Sequence, residues 1–122
     1  MIEGAGADAA DLLARLHAAA FPKPWSANEI AKLLENPAVF AVVSREQSEH
    51  RGFAMAWAAA GDAELLTVAV VPDARRKGVG ASLVTAASVA ALVRGAASMH
   101  LEVSEENEAA RALYRKLGYE EA

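Results

Sequence analysis

The stretch VVPDARRKGVGASLV, residues 70–84, decides how this chain is read. An apolar run meets Pro72, then Arg75, Arg76 and Lys77, then Gly78 and Gly80, before the sequence turns apolar again. Where a helix begins, about four amide hydrogens lack an intrahelical acceptor, and the helix dipole adds roughly half a positive charge. Glycines without side chains let an anion lie against that backbone, and the cations add charge around it. The stretch therefore reads as a strand-turn-helix hinge suited to a phosphate-bearing anion. A solvated basic turn shaped by its glycines is the plainer reading of the same residues.

The flanks agree with a hinge. Upstream, AELLTVAVV (63–71) is the near-continuous apolar run of a strand covered on both faces, and it ends at Pro72. Downstream, Val79, Leu83, Ala86, Ala90 and Val93 recur at helical spacing until Gly95, which is placed as a C-terminal cap. ASMHLEV (97–103) follows as a strand whose alternation sets Met99, Leu101 and Val103 on one face and His100 with Glu102 on the other. Asn107 then caps a helix carrying Ala110, Leu113, Tyr114 and Leu117 on one side, closed by Gly118. One strand-helix-strand crossover thus occupies the middle of the chain.

Towards the N-terminus a short first strand precedes a helix in which Leu12, Leu13, Leu16, Ala19 and Ala20 repeat, with Asp8 or Asp11 as its cap. FPKPW breaks that helix. Ser26 and Glu29 form a capping box for the next, and Trp25 with Ile30 takes the hydrophobic-staple positions around it. Asn36-Pro37 ends this second helix. VFAVVS and RGFAMAWAAA read as strands of an antiparallel hairpin joined by the polar turn REQSEH. The expected architecture is α/β (α+β): a mixed central sheet flanked by helices.

At 122 residues the chain has the length of one domain, 1–122, with 54% hydrophobic and 23% charged residues, a globular composition. A net charge of −4 argues against a broad nucleic-acid-binding footprint. The absence of cysteine removes disulfides, thiolate metal sites and thioester intermediates on the enzyme, and His17, His50 and His100 lack metal-like clustering, so no metal is expected. MIEGAGADAADLL lacks a signal peptide's basic start and apolar core, and charge breaks the alanine-rich stretches before membrane-spanning length. The expectation is a cytoplasmic protein without membrane attachment.

Three known phosphate-binding designs compete for the hinge. A Walker loop needs glycine, then lysine, then serine or threonine, but here Lys77 precedes Gly78. A dinucleotide fingerprint needs a third glycine where Leu83 stands. Arg75-Arg76-Lys77-Gly78-Val79-Gly80 instead resembles the signature of the Gcn5-related N-acetyltransferase (GNAT) superfamily, whose loop holds the pyrophosphate of coenzyme A. LEVSEENEAARALYRKLGYEEA (101–122) resembles the second half of that family's signature, at the expected distance and in the expected order. Phe21-Pro22-Lys23-Pro24-Trp25-Ser26 and Glu64 to Val70 are similar to segments of its ribosomal-protein-alanine N-acetyltransferase branch.

The resemblance implies the GNAT acyl-CoA N-acyltransferase fold and acetyl transfer from acetyl-CoA, as co-substrate, to a primary amine. In the branch it resembles, that amine is the N-terminal alanine of a ribosomal protein. Backbone groups of Val68, Ala69 and Val70 are implied to bind the pantetheine arm. Arg76, Lys77, Gly78, Val79, Gly80 and Ala81 are implied to surround the pyrophosphate, and Asn107 to contact the cofactor. Glu102 takes the place of the general base and Tyr114 that of the general acid. The bland alternatives are a solvent-facing Glu102, a core Tyr114, a helix-capping Asn107 and a stapling Trp25.

Relatives in the branch continue through two further strands where this sequence stops at Ala122. An open edge beside the strand ending at Val103 would need covering, so a homodimer or an incomplete chain is expected. Since the further strands carry acceptor-side residues in the family, another amine (an amino acid, polyamine, antibiotic or lysine) or a CoA-binding module without turnover stays open.

Overall fold

The computed structural model describes residues 1–101. Glu102, Asn107, Tyr114 and Val103 lie outside the described residues. A five-stranded sheet runs β1 (Ile2–Ala5), β2 (Val39–Glu46), β3 (Glu49–Ala59), β4 (Asp62–Val70) and β5 (Ser98–Leu101), in that spatial order. The first four strands pair antiparallel and β5 pairs parallel with β4. The sheet is thus mixed, and the single crossover passes through α3 (Val79–Val93). Helices α1 (Ala10–Ala20) and α2 (Ala27–Glu35) connect β1 to β2.

Strand alternation divides the core in two. Ala54, Ala56 and Leu65 face α3, with Leu83, Val84 and Ala87. Phe53, Met55 and Ala69 face the other way, against Leu13, Leu16 and Ile30 of α1 and α2. The α3 side is alanine-rich, and small side chains let helix and sheet backbones approach at normal interior density. With α1 on one face and α3 on the other, β4 is covered on both sides as its apolar run anticipates.

Local signals hold at several ends. Ser26 Oγ accepts from the Glu29 amide at 3.1 Å while Glu29 Oε1 accepts from the Ser26 amide at 3.3 Å, completing the capping box. Trp25 and Ile30 pack into the same core. At the end of α3, Gly95 (φ 94°) donates to the Leu92 carbonyl at 2.9 Å and Ala96 to the Ala91 carbonyl at 3.0 Å, a Schellman arrangement.

Three expectations need correction. No aspartate caps α1; its N-cap is Ala9, because a 3₁₀ turn over Ala7–Ala9 runs straight into the helix and its carbonyls take the first amides. Asp8 and Asp11 keep only the favourable charge near the helix start. The β2–β3 connection is not six residues but Gln47-Ser48, since Arg45 pairs with His50 and Glu46 with Glu49 at the exposed hairpin tip, where polar strand residues cost nothing. Finally, α3 turns Leu83, Val84, Ala87 and Ala91 inward, leaving Val93 82% and Leu92 67% exposed. A helix apolar nearly all round has no sequence stripe to choose its face.

Gly52 of β3 was not singled out by the sequence reading, yet the fold depends on its having no side chain. It pairs with Val70, and a Cβ there would lie 2.4 Å from the Ala69 carbonyl oxygen and 3.2 Å from Leu83 Cδ1. Gly52→Ala is expected to displace the end of β4 and cost about 1–3 kcal/mol, read as a lowered urea midpoint. A midpoint equal to the parent's would show that β4 is free to shift.

Candidate active site

The site is built where β4 turns into α3. Met55 pairs with Thr67 but Ala56 with Leu65, so Leu66 is an extra residue, a bulge in β4. Pairing of β4 with β5 runs from Asp62↔Ser98 to Leu65↔Leu101. Among the described residues, then, no strand pairs with that edge of β4 beyond the bulge, over Val68, Ala69 and Val70. Bulges are over-represented next to active sites, where they re-aim a side chain.

After Val70 a 3₁₀ turn over Pro72–Ala74 buries Ala74 and leads into the basic loop. Arg76 holds φ 65° and Gly78, the N-cap of α3, φ 82°. The left-handed region suits glycine; at Arg76 it costs on the order of 1 kcal/mol, strain of the kind stored at functional sites. The first helical bond of α3 is donated by Ser82 to the Gly78 carbonyl at 3.0 Å, so no intrahelical acceptor serves the amides of Gly78 to Ala81. Among the described residues no side chain caps them, and no acidic residue sits in the first turn. At Gly78 nothing lies within 4 Å of where a Cβ would be. A helix start that no described residue caps or covers at Gly78, flanked by exposed Arg76 and Lys77, is a cradle that fits a diphosphate.

Val68, Ala69 and Val70 thus end β4, and after the 3₁₀ turn Arg76, Lys77 and Gly78 lead into Val79, Gly80 and Ala81 of the first turn of α3. Arg75 plays a different part from its two neighbours. Its Nε donates to the Val70 carbonyl at 3.2 Å and a terminal nitrogen to the Ala20 carbonyl at 3.3 Å, so it braces the loop against the end of α1. Sequence spacing grouped the three cations, and only the tertiary partner of Arg75 separates them.

His17, set aside in the sequence reading, is the one buried polar side chain among the described residues, at 3% exposure. Its Nδ1 accepts from the Trp25 amide at 3.1 Å, which leaves Nε2 to carry the proton and donate to Thr67 Oγ1 at 3.3 Å. The ring stacks with Phe21 (4.5 Å) and Trp25 (4.8 Å). Burial lowers its pKa from 6.5, against a raising influence of the Glu29 carboxylate. The folded protein thus binds fewer protons here than the unfolded chain below about pH 6.5. Stability supplied by neutral His17 is present above that pH and falls as pH drops through and below it. Urea midpoints at pH 7.5 and pH 5 are expected to differ accordingly, and His17→Phe to remove that component.

Among the described residues no group of three or more His, Asp or Glu side chains could hold a metal, and no helix is long and apolar enough to cross a membrane.

Comparison with known proteins is consistent with this geometry. The model of the acetyltransferase (GNAT) family matches residues 10–119. A putative [ribosomal protein bS18]-alanine N-acetyltransferase of Bacillus subtilis is 28% identical over 109 residues, 88% of this chain and 72% of that protein. The [ribosomal protein bS18]-alanine N-acetyltransferase of Escherichia coli K12 is 40% identical over 70 residues, 57% of this chain and 47% of that protein, so the match spans about half its length. The crystal structure of the ribosomal-protein-S18-alanine N-acetyltransferase from Escherichia coli superposes with a TM-score of 0.91 at 28% identity, covering 100% of this chain and 78% of that one.

Proposed function

The chain belongs to the acetyltransferase (GNAT) family and is an acyltransferase enzyme, and from that membership we propose that it acetylates a protein N-terminal amine whose first residue is alanine. The observation that carries the catalytic part is the start of α3, capped by no described side chain, at the end of the basic loop that follows the bulged strand β4. The acceptor part is supported by similarity to ribosomal-protein-alanine N-acetyltransferases along 88% of the chain.

In this reading the amides of Gly78 to Ala81, with Arg76 and Lys77, hold the diphosphate of acetyl-CoA. The backbone of Val68, Ala69 and Val70 aligns the pantetheine arm along β4. An amide hydrogen near Val68 stabilises the negative charge that develops on the thioester carbonyl oxygen. The amine nitrogen forms the new bond to the acetyl carbon, and the carbon–sulfur bond breaks. Glu102 takes the proton lost by the amine, directly or through water, and the Tyr114 hydroxyl gives one to the departing sulfur. Sequence alternation assigns Glu102 to the side of His100, which pairs with Glu64, and the Glu64 carboxylate accepts from Trp57 Nε1 at 3.1 Å. Trp57 packs on the α1 side of the sheet, so the acceptor approaches from there. Asn107 completes the cofactor contacts.

The test is incubation with acetyl-CoA and short peptides differing only in the first residue, following thiol release. Fastest turnover of the alanine-first peptide is expected. Faster turnover of a lysine side chain or a small-molecule amine would reject the acceptor, and coenzyme A binding without any turnover would reject the enzyme reading in favour of a binding module.

A further inference from the structure

His17 ties together three parts of the molecule: α1, the segment Phe21–Trp25 and β4. Its backbone carbonyl accepts from the Phe21 amide at 2.9 Å and its Nδ1 from the Trp25 amide at 3.1 Å, so one residue closes both ends of the segment Phe21–Trp25. Pro22 and Pro24 within that segment have no amide hydrogen and restrict its backbone, so fixing its ends fixes its path. The third bond, from Nε2 to Thr67 Oγ1, lands between the bulged Leu66 and Val68. Trp25 also lines a groove of about 410 Å³ along α2, shared with Glu29, Lys32, Leu33 and Asn36. Arg75 repeats the connection from the cofactor loop, reaching the Ala20 carbonyl one residue before Phe21.

We propose that His17 is a positioning residue of the acetyl transfer, a latch that holds the Phe21–Trp25 segment against Thr67 and so sets the acceptor's entrance beside the thioester. The proposal rests on the reading that β4 carries the pantetheine arm. The latch works through a neutral imidazole, because a protonated Nδ1 cannot accept from Trp25. Among the described residues Glu29 of α2 is the charged side chain acting on the ring; its neighbours Phe21, Trp25, Phe53 and Thr67 carry no charge.

Two variants open the latch differently. His17→Phe keeps the stacking ring and removes both side-chain bonds. Thr67→Val is nearly isosteric and strands only the buried Nε2 donor, so it tests the latch even if the first variant folds poorly. Each is expected to raise the acceptor KM about tenfold, the size of one lost bond to a buried group, with kcat and the acetyl-CoA dissociation constant unchanged. His17→Asn, whose side-chain oxygen can accept from Trp25 in place of Nδ1, is expected to recover part of that loss. The acceptor KM of the parent rises below about pH 6.5, and that of His17→Phe stays flat.

A second readout needs no turnover. In a Trp57→Phe background Trp25 is the sole tryptophan, and its emission is expected to be quenched on acidification with a midpoint below 6.5. His17→Phe should abolish that titration, and Thr67→Val should increase quenching of Trp25 by acrylamide. If neither variant alters Trp25 emission, the latch is overturned. If emission changes while the acceptor KM does not, the positioning role is overturned. If no peptide is acetylated at all, the acceptor assignment has failed, and the fluorescence arm alone decides the latch.

Discussion

Glu102→Gln is expected to lower kcat about a hundredfold or more at pH 7 while acetyl-CoA binds as tightly as before. An N-terminal amine has a pKa near 8, so only about a tenth is neutral at pH 7, and in the proposed reaction the Glu102 carboxylate takes up the proton of the rest. A carboxamide of the same shape cannot. The deficit should shrink as pH rises past 8, where the amine loses its proton to solvent, and a stopped assay at pH 7 and 9 reads the difference. Tyr114→Phe should cost less, because a thiolate leaves more readily than most bases and the phenol adds only the final proton. Parent-like kcat in both variants would remove these residues from the acid and base roles, whatever becomes of the fold.

Gly80→Asp is expected to weaken acetyl-CoA binding by about ten- to a hundredfold. Two opposed charges of like sign some 5 Å apart repel by roughly 3 kcal/mol at an effective dielectric of 20, less once salt screens the open face. The same carboxylate in the first turn of α3 favours the helix dipole, so thermal stability should hold or rise. Loss of binding with unimpaired melting separates ligand repulsion from damage to the fold. The loss should diminish as salt is raised. An unchanged dissociation constant by calorimetry would take the diphosphate away from this turn.

Some of the site was legible because its causes are local. The capping box at Ser26 and Glu29, the cap at Gly95 and the glycine turn at Gly78 each require only residues within one helical turn, and the structure forms all three. The bulge at Leu66 was not legible, since a register shift is a property of two strands. Val93 belongs to the apolar repeat of α3 yet stands in solvent. Alanine and valine on every side of that helix left the choice of face to the sheet beneath it.

What the sequence determined by itself is the order of the elements among the described residues, the caps at Ser26 and Gly95, and a glycine turn between the fourth strand and the third helix, because each is written in side chains close along the chain. Only the tertiary structure decided that Arg75 braces rather than binds, that Gly52 must be bare, and that His17 is buried. The Ala20 carbonyl held by Arg75 is 55 positions away and Thr67 is 50 from His17. A hydrogen bond across that distance leaves no periodicity behind, so the need for it becomes visible only when the backbone brings the two partners together.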